Sequence, residues 1–188
     1  MKKNFLLLLF LASFLNADFS APYLQDKVDF WTKVYTLWDS NQVIFSDSIN
    51  PKIIYHVMDL PKIPNEISAP KFSKEVSLKK EQIKKIIDHL QFKTELNNYD
   101  EKLYESIKEV LKNVDFDDVK LSDQVRNQSG LKSQFELGLK LSGSYMHEMK
   151  AMLESMNMPQ ELLALVFVES LGHLHVVSHA SRSEGAHV

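Results

Sequence analysis

Apolar residues recur at spacings of three and four through four stretches of this 188-residue chain, and that periodicity commits most of it to amphipathic helix. Over residues 24–39 the stripe is Val28, Trp31, Val34, Tyr35 and Trp38. From Ser77, a candidate N-cap with Glu81 in the early turns, Ile83, Ile86, Ile87 and Leu90 mark one face. Over 100–112 the face is Leu103, Tyr104, Ile107, Val110 and Leu111. The longest stretch, 131–156, carries Phe135, Leu139, Ser142, Tyr145, Met146, Met149, Met152, Leu153 and Met156. Its spacing predicts a helix packed into a core, although four methionines on one stripe also suit an adaptable binding groove. Gly138 and Gly143 interrupt it. Each costs about 1 kcal/mol relative to Ala in a helix interior, so a close helix approach or a break is expected there.

Two stretches fall outside this period. Val43–Phe45 and Ile53–Met58 are rich in β-branched and aromatic residues on either side of Ser46–Pro51, and they predict a small hairpin. Pro61, Pro64 and Pro70 punctuate residues 59–76, which read as an extended linker because each proline lacks a backbone donor and disfavours helix before it. The acidic stretch Asp115–Asp118 lacks the spacing and glycine of a calcium-binding loop and reads as a solvated turn. The fold class expected is therefore mainly α.

Composition narrows the chemistry. Zero cysteines exclude a disulfide scaffold, a thiolate metal site and a thiol nucleophile. All five glycines lie after residue 129, so the first two thirds of the chain has no glycine-rich phosphate loop. A net charge of −3 offers no basic excess for nucleic acid. At the N-terminus Lys2 and Lys3 precede a run from Phe5 to Leu15, apolar but for Ser13, and Ala17 follows. That is the layout of a secretory signal peptide over residues 1–17, and the run is shorter than the roughly 20 residues of a spanning helix. Removing Lys2 and Lys3 from the 22 basic side chains leaves 20 against 25 acidic ones. The expectation is an exported, periplasmic protein with no stable membrane span after cleavage.

Glu169 is the residue that invites chemistry. It follows seven apolar residues, Leu162 to Val168, and precedes Ser170 and Leu171, at the end of a short helix predicted over Gln160–Ser170 with Pro159 starting the element at its first position. A carboxylate so placed is shielded from water, and the negative C-terminal end of a helix adds to the penalty on its charged form. A carboxyl that keeps its proton near neutrality is what a general acid needs. On pattern alone, a glutamate that merely caps the helix face and points outward stands beside that reading.

A set of segments then resembles one family. Val125-Arg126-Asn127-Gln128-Ser129-Gly130, Phe135, Gly138-Leu139, Ser142-Gly143-Ser144-Tyr145, Met158-Pro159-Gln160-Glu161-Leu162, Val168-Glu169-Ser170 and Ser178-His179-Ala180 are similar to the membrane-bound lytic murein transglycosylase D family. The likeness covers roughly residues 120–180, about a third of the chain. It implies a goose-lysozyme-like fold, with Glu169 as the single catalytic acid and Ser170 and Ser178 as residues that bind or orient the substrate. The implied reaction cuts the bond between N-acetylmuramic acid and N-acetylglucosamine in peptidoglycan glycan strands. Glu169 protonates the glycosidic oxygen and then accepts the proton of the muramic C6 hydroxyl, whose oxygen closes on C1. The product is a 1,6-anhydro end, formed without water, metal or cofactor, and the two-carboxylate rule does not apply.

The family pattern also breaks. After Ser170 it continues Phe-Asn and into Gly-Trp-Gln-Phe-Met, whereas here Gly172 and His173 follow Leu171, and Ser181–Val188 follow Ala180. The tail reads as a frame change or truncation, and the chain as it stands is expected to be inactive or nearly so, because an acid without a groove cannot position a glycan. The domains expected are 1–17 signal peptide, 18–76 helix, hairpin and linker, 77–120 helical, and 121–188 the first helices of an incomplete lysozyme-like lobe. His173, His175 and His179 read as an accidental cluster rather than a zinc site. The alternative function is a non-enzymatic exported interaction protein; some relatives carry a regulatory-protein label.

Overall fold

The β-branched runs on either side of Ser46–Pro51 pair with each other. The computed structural model describes residues 22–163 apart from 65, 115–118 and 144. In it β1 (Gln42–Asp47) and β2 (Ile54–Asp59) form an antiparallel hairpin. A third strand, β3 (Val125–Ser129), pairs antiparallel with the other edge of β1, so the sheet order is β2-β1-β3. Register runs from Gln42 opposite Asp59 to Phe45 opposite His56, then slips so that Ser46 faces Ile54. Tyr55 is the extra residue of this bulge. The slip lets two neighbours serve one face. Tyr55 joins the core with Val43 and Phe45, while the His56 ring stacks on Phe45 with centroids 6.4 Å apart.

β1 is covered on both sides. Val43 and Phe45 pack with Ile83, Ile86 and Ile87 of α2 (Ser73–Phe92) and with Leu103, Ile107 and Leu111 of α3 (Glu101–Leu111). Ile44, pointing the other way, packs with Phe30 and Val34 of α1 (Pro22–Thr36) and with Trp38 just beyond it. Period-two alternation in one strand thus feeds two cores. Two further helices, α4 (Lys132–Ser142) and α5 (Met146–Ser155), and a 3-10 turn at Gln160–Leu162 follow β3. The described residues form a helix-rich mixed α/β fold: helix predominates as expected, and the three-stranded sheet goes beyond the mainly α expectation. β3 is the strand the periodicity missed. Val125 is the one fully buried residue among its five, as befits an edge strand.

Other local expectations change as well. The buried stripe of α1 is Phe30, Val34 and Trp38, while Val28 and Trp31 lie outside. α2 starts at Ser73, and no side chain caps it; Phe72 occupies the cap position and its ring packs on the core. Its other end closes at Lys93, in the left-handed region at φ 57°, whose N–H bonds the His89 carbonyl. Asp100 caps α3, accepting from the N–H groups of Lys102 and Leu103 at 3.0 and 3.2 Å.

The proline-bearing stretch is a packed loop rather than a linker. Ser68 within it is fully buried, its N–H donating to Ser40 O at 3.0 Å and its hydroxyl to Pro61 O at 2.8 Å. Residues 131–156 are not one core helix. α4 ends at Ser142 and α5 begins at Met146, so the stripe is divided between two helices. α4 buries Gln134 and Gly138, and α5 buries none of its residues.

The polar end of β1 is the test of this arrangement. Tyr55 donates its hydroxyl to Asp47 Oδ2 at 3.1 Å inside the core, while the buried Ser46 hydroxyl has no partner among the described residues. Removing a partner from a buried pair costs about 1–3 kcal/mol, whereas deleting an unsatisfied hydroxyl costs little. In urea unfolding, Tyr55→Phe is expected to lower stability by about 1–2 kcal/mol, and Ser46→Ala to leave it unchanged or raise it slightly.

Candidate functional site

Glu169, Ser170 and Ser178 lie outside the described residues, as do His173, His175, His179 and Asp115–Asp118. What the structure does give is the platform from which residues 132–163 depart. That platform is built where the C-terminus of α1 meets the N-terminus of α4.

Each helix end leaves backbone groups without an internal partner. Here the two ends satisfy one another. Leu131 N–H donates to Val34 O at 2.8 Å, and Lys132 N–H to Trp38 O at 3.1 Å. The partly negative end of α1 therefore faces the partly positive end of α4. Gly130 makes the approach feasible. A Cβ at this position would stand 2.4 Å from the carbonyl oxygens of both Trp38 and Asp39. Its φ is not positive, so the glycine serves contact rather than an unusual turn. The Tyr35 and Phe135 rings close the same junction, centroids 5.5 Å apart.

Asp39 supplies the charge of the junction. Its carboxylate accepts from Ser40 N–H at 2.8 Å, from the Ser133 hydroxyl on α4, and from Lys62 Nζ at 2.5 Å on the proline-bearing loop. Partial burial works against the charged form, but the hydrogen bonds from Lys62, Ser133 and Ser40 outweigh it and hold the carboxyl well below the usual range. Asp39 stays ionised at any ordinary pH and ties three segments together. It is poorly suited to act as a proton donor.

Three titratable groups, Asp47, Tyr55 and His56, lie on the hairpin strands β1 and β2. Asp47 Oδ1 accepts from the N–H groups of Ile49 and Asn50, both at 2.8 Å, in addition to the Tyr55 bond on Oδ2. Burial, and then the Asp47 charge, push the Tyr55 hydroxyl far up, so it keeps its proton. His56 is half-buried, and burial with the Lys79 ammonium lowers its pKa against the opposing pull of Asp100 and Asp59. Among the described residues no three histidine or carboxylate groups converge on a point that could hold a metal ion. None of their helices is long and apolar enough to cross a membrane.

Of the segments carrying the resemblance, Val125–Ser129 is β3, Gly130 is the contact point, Phe135 and Gly138 lie on α4, and Gly143 and Tyr145 form the break. Pro159 stands at the cap of the 3-10 turn rather than at a first helical position. Sequence reasoning missed Asp39. Its signal was the Asp-Ser-Asn run directly after an apolar helix, the composition of a hydrogen-bonded turn. No family model, curated protein or solved structure matches this chain.

Gly130→Ala is expected to destabilise the chain by about 3 kcal/mol, because the added methyl meets backbone rather than a movable side chain. Gly143, whose Cβ would meet Lys140 O at an ordinary 3.6 Å, is the control; Gly143→Ala should stay within about 0.5 kcal/mol in thermal unfolding. For His56 the sign is set by the lowered pKa. The unfolded chain, with its ordinary value of 6.5, binds more protons in the window just below that value. Stability due to His56 is full above about pH 6.5 and is lost as pH falls through the folded value. Urea titrations at stepped pH should show this slope and lose it in His56→Gln.

Proposed function

We propose that this chain carries the acid of a peptidoglycan lytic transglycosylase, acting on MurNAc-GlcNAc bonds of glycan strands in the periplasm to leave 1,6-anhydro-muramic ends. The carrying observation is the ordered set of motifs from Val125 to Ser170, ending on an acid after seven apolar residues. A goose-lysozyme-like lobe over residues 121–188 is part of this proposal. Support from the fold is indirect: the first motif ends in Gly130, where close packing fixes the entry to α4.

Glu169 gives its proton to the glycosidic oxygen as the C1–O bond breaks. The carboxylate so formed takes the proton of the muramic C6 hydroxyl as that oxygen bonds to C1, so the residue returns to its starting state. Seven apolar residues precede it in the sequence, the setting in which a carboxyl keeps its proton near neutrality. Ser170 and Ser178 hydrogen-bond the carboxyl group or a substrate acetamide.

The test is digestion of purified sacculi with chromatography of the released muropeptides. The 188 residues alone are expected to release little 1,6-anhydro product, since they hold the acid without the Gly-Trp-Gln-Phe-Met segment. Joined at Ala180 to the rest of a lobe from a family member, the chain is expected to release it readily. Glu169→Gln in that fusion should lower the rate by at least about a hundredfold. Release that ignores residue 169 overturns the reading.

One observation favours a second reading. α5 buries none of its residues, and Met152 on it and Met156 just after it are more than half exposed. An interaction protein using this methionine face would leave sacculi intact in both forms.

A further inference from the structure

Outside the segment that carries the resemblance, a cleft of about 360 Å³ opens between α2 and the turn leading into α3. That volume lies in the range of small-ligand sites. One wall is a single face of α2, with Leu78, Gln82 and Lys85 spaced by four and three. The other is Asn97, Asn98 and Tyr99. The turn has a defined shape. Lys93 and Asn98 both sit in the left-handed region, at φ 57° and 51°, and Asp100 spends its carboxylate on capping α3. The Tyr99 ring is braced by Tyr104, centroids 5.1 Å apart, yet remains 42% exposed.

The side chains in this cleft have uncommitted chemistry. Among the described residues, Gln82, Asn97 and Asn98 make no side-chain hydrogen bond, and Lys85 makes no ion pair. Two carboxylates also line it, Glu81, paired with Lys84 at 3.7 Å, and Asp100, which caps α3 through Oδ1, and the Lys85 ammonium is the lining cation that neither of them holds. The cleft thus offers an aromatic face beside Leu78, Ile86 and Leu96, three neutral amides that each donate and accept, one cation, and two carboxylates engaged by Lys84 and by the α3 cap. A pyranose ring has the matching surfaces: C–H faces for the tyrosine, and hydroxyl and acetamide groups for the amides. The ammonium asks for a carboxylate.

We infer that this cleft is a subsite for an N-acetylated, carboxylate-bearing sugar, with Tyr99 stacking on the ring and Lys85 taking the carboxylate. The choice of sugar class rests on the reading of the chain as a peptidoglycan protein; the subsite itself does not involve Glu169.

The test is an NMR titration of the ¹⁵N-labelled chain with N-acetylmuramic acid and with tri-N-acetylchitotriose. Both are expected to shift the side-chain amide signals of Gln82, Asn97 and Asn98 saturably, with Kd of about 1 mM or tighter for the muramic sugar. Lys85→Ala should weaken the muramic sugar roughly tenfold and leave the chitotriose within about twofold. Tyr99→Ala should weaken both; Gln82→Ala, on the exposed helix face, gives the same test without touching the Tyr99–Tyr104 contact. Absence of shifts at the cleft up to about 10 mM, or a Lys85→Ala effect equal for both sugars, overturns the inference. Cleft shifts retained in Glu169→Gln alongside a fusion that releases no product from sacculi would sink the transglycosylase reading alone. Product release without cleft shifts would sink the subsite alone.

Discussion

Burial of one short strand on both faces is the constraint from which the rest of this structure follows. β1 places five consecutive residues, Val43 to Asp47, out of solvent. A strand buried that way needs a hydrogen-bonded neighbour on each edge and an apolar layer on each side, since unpaired backbone groups away from water cost about as much as lost hydrogen bonds. β2 and β3 supply the edges, α2 and α3 one layer, and α1 the other. Residues 125–129 are thereby drawn back to a strand more than 75 positions earlier, which is why the 121–188 segment and the N-terminal hairpin share a sheet.

The strand's polar end explains the bulge. Ser46 and Asp47 are both buried; the turn's Ile49 and Asn50 N–H groups satisfy Asp47 Oδ1, and Oδ2 takes a donor from within the core. Slipping the register at Phe45/Ser46 brings the Tyr55 hydroxyl to it and keeps His56 against Phe45. The cost is the unpartnered Ser46 hydroxyl. A carboxylate holding three hydrogen bonds outweighs one orphaned hydroxyl, because charge-assisted bonds are roughly twice as strong as neutral ones.

Legibility in the sequence followed the strength of the local signal. The α3 face of Leu103, Ile107 and Leu111, and the α2 face of Ile83, Ile86 and Ile87, are plain from spacing and are the buried faces. So are the hairpin strands, whose β-branched residues leave little choice. In α1 spacing alone could not choose between Trp31 and Phe30, because aromatic residues surround the helix and tertiary contact with Ile44 decides. β3 carries polar residues at most positions and becomes a strand through pairing with β1, a non-local cause that no window reveals. Ser68 looks like linker composition, and its burial depends on the Ser40 carbonyl 28 positions away. For the site, the motif glycine Gly130 was legible as a motif but not as a steric requirement, and Asp39 showed only as a turn residue.

The junction at Gly130 gives the motif segment a mechanical meaning independent of any catalytic step. α4 takes its direction from two backbone hydrogen bonds to the end of α1, from the Ser133–Asp39 bond, and from a contact too close for any side chain. Each of these is anchored to residues that flank β1: Val34 and Trp38 in the core over Ile44, and Asp39 three positions before the strand begins. A helix held at its N-terminus by backbone contacts has little freedom to rotate, so whatever is built beyond α4 inherits an orientation from the sheet. A strand–glycine–helix entry docked on a buried strand therefore sets the direction of α4 from the sheet, through backbone contacts that no side-chain substitution on α4 would remove.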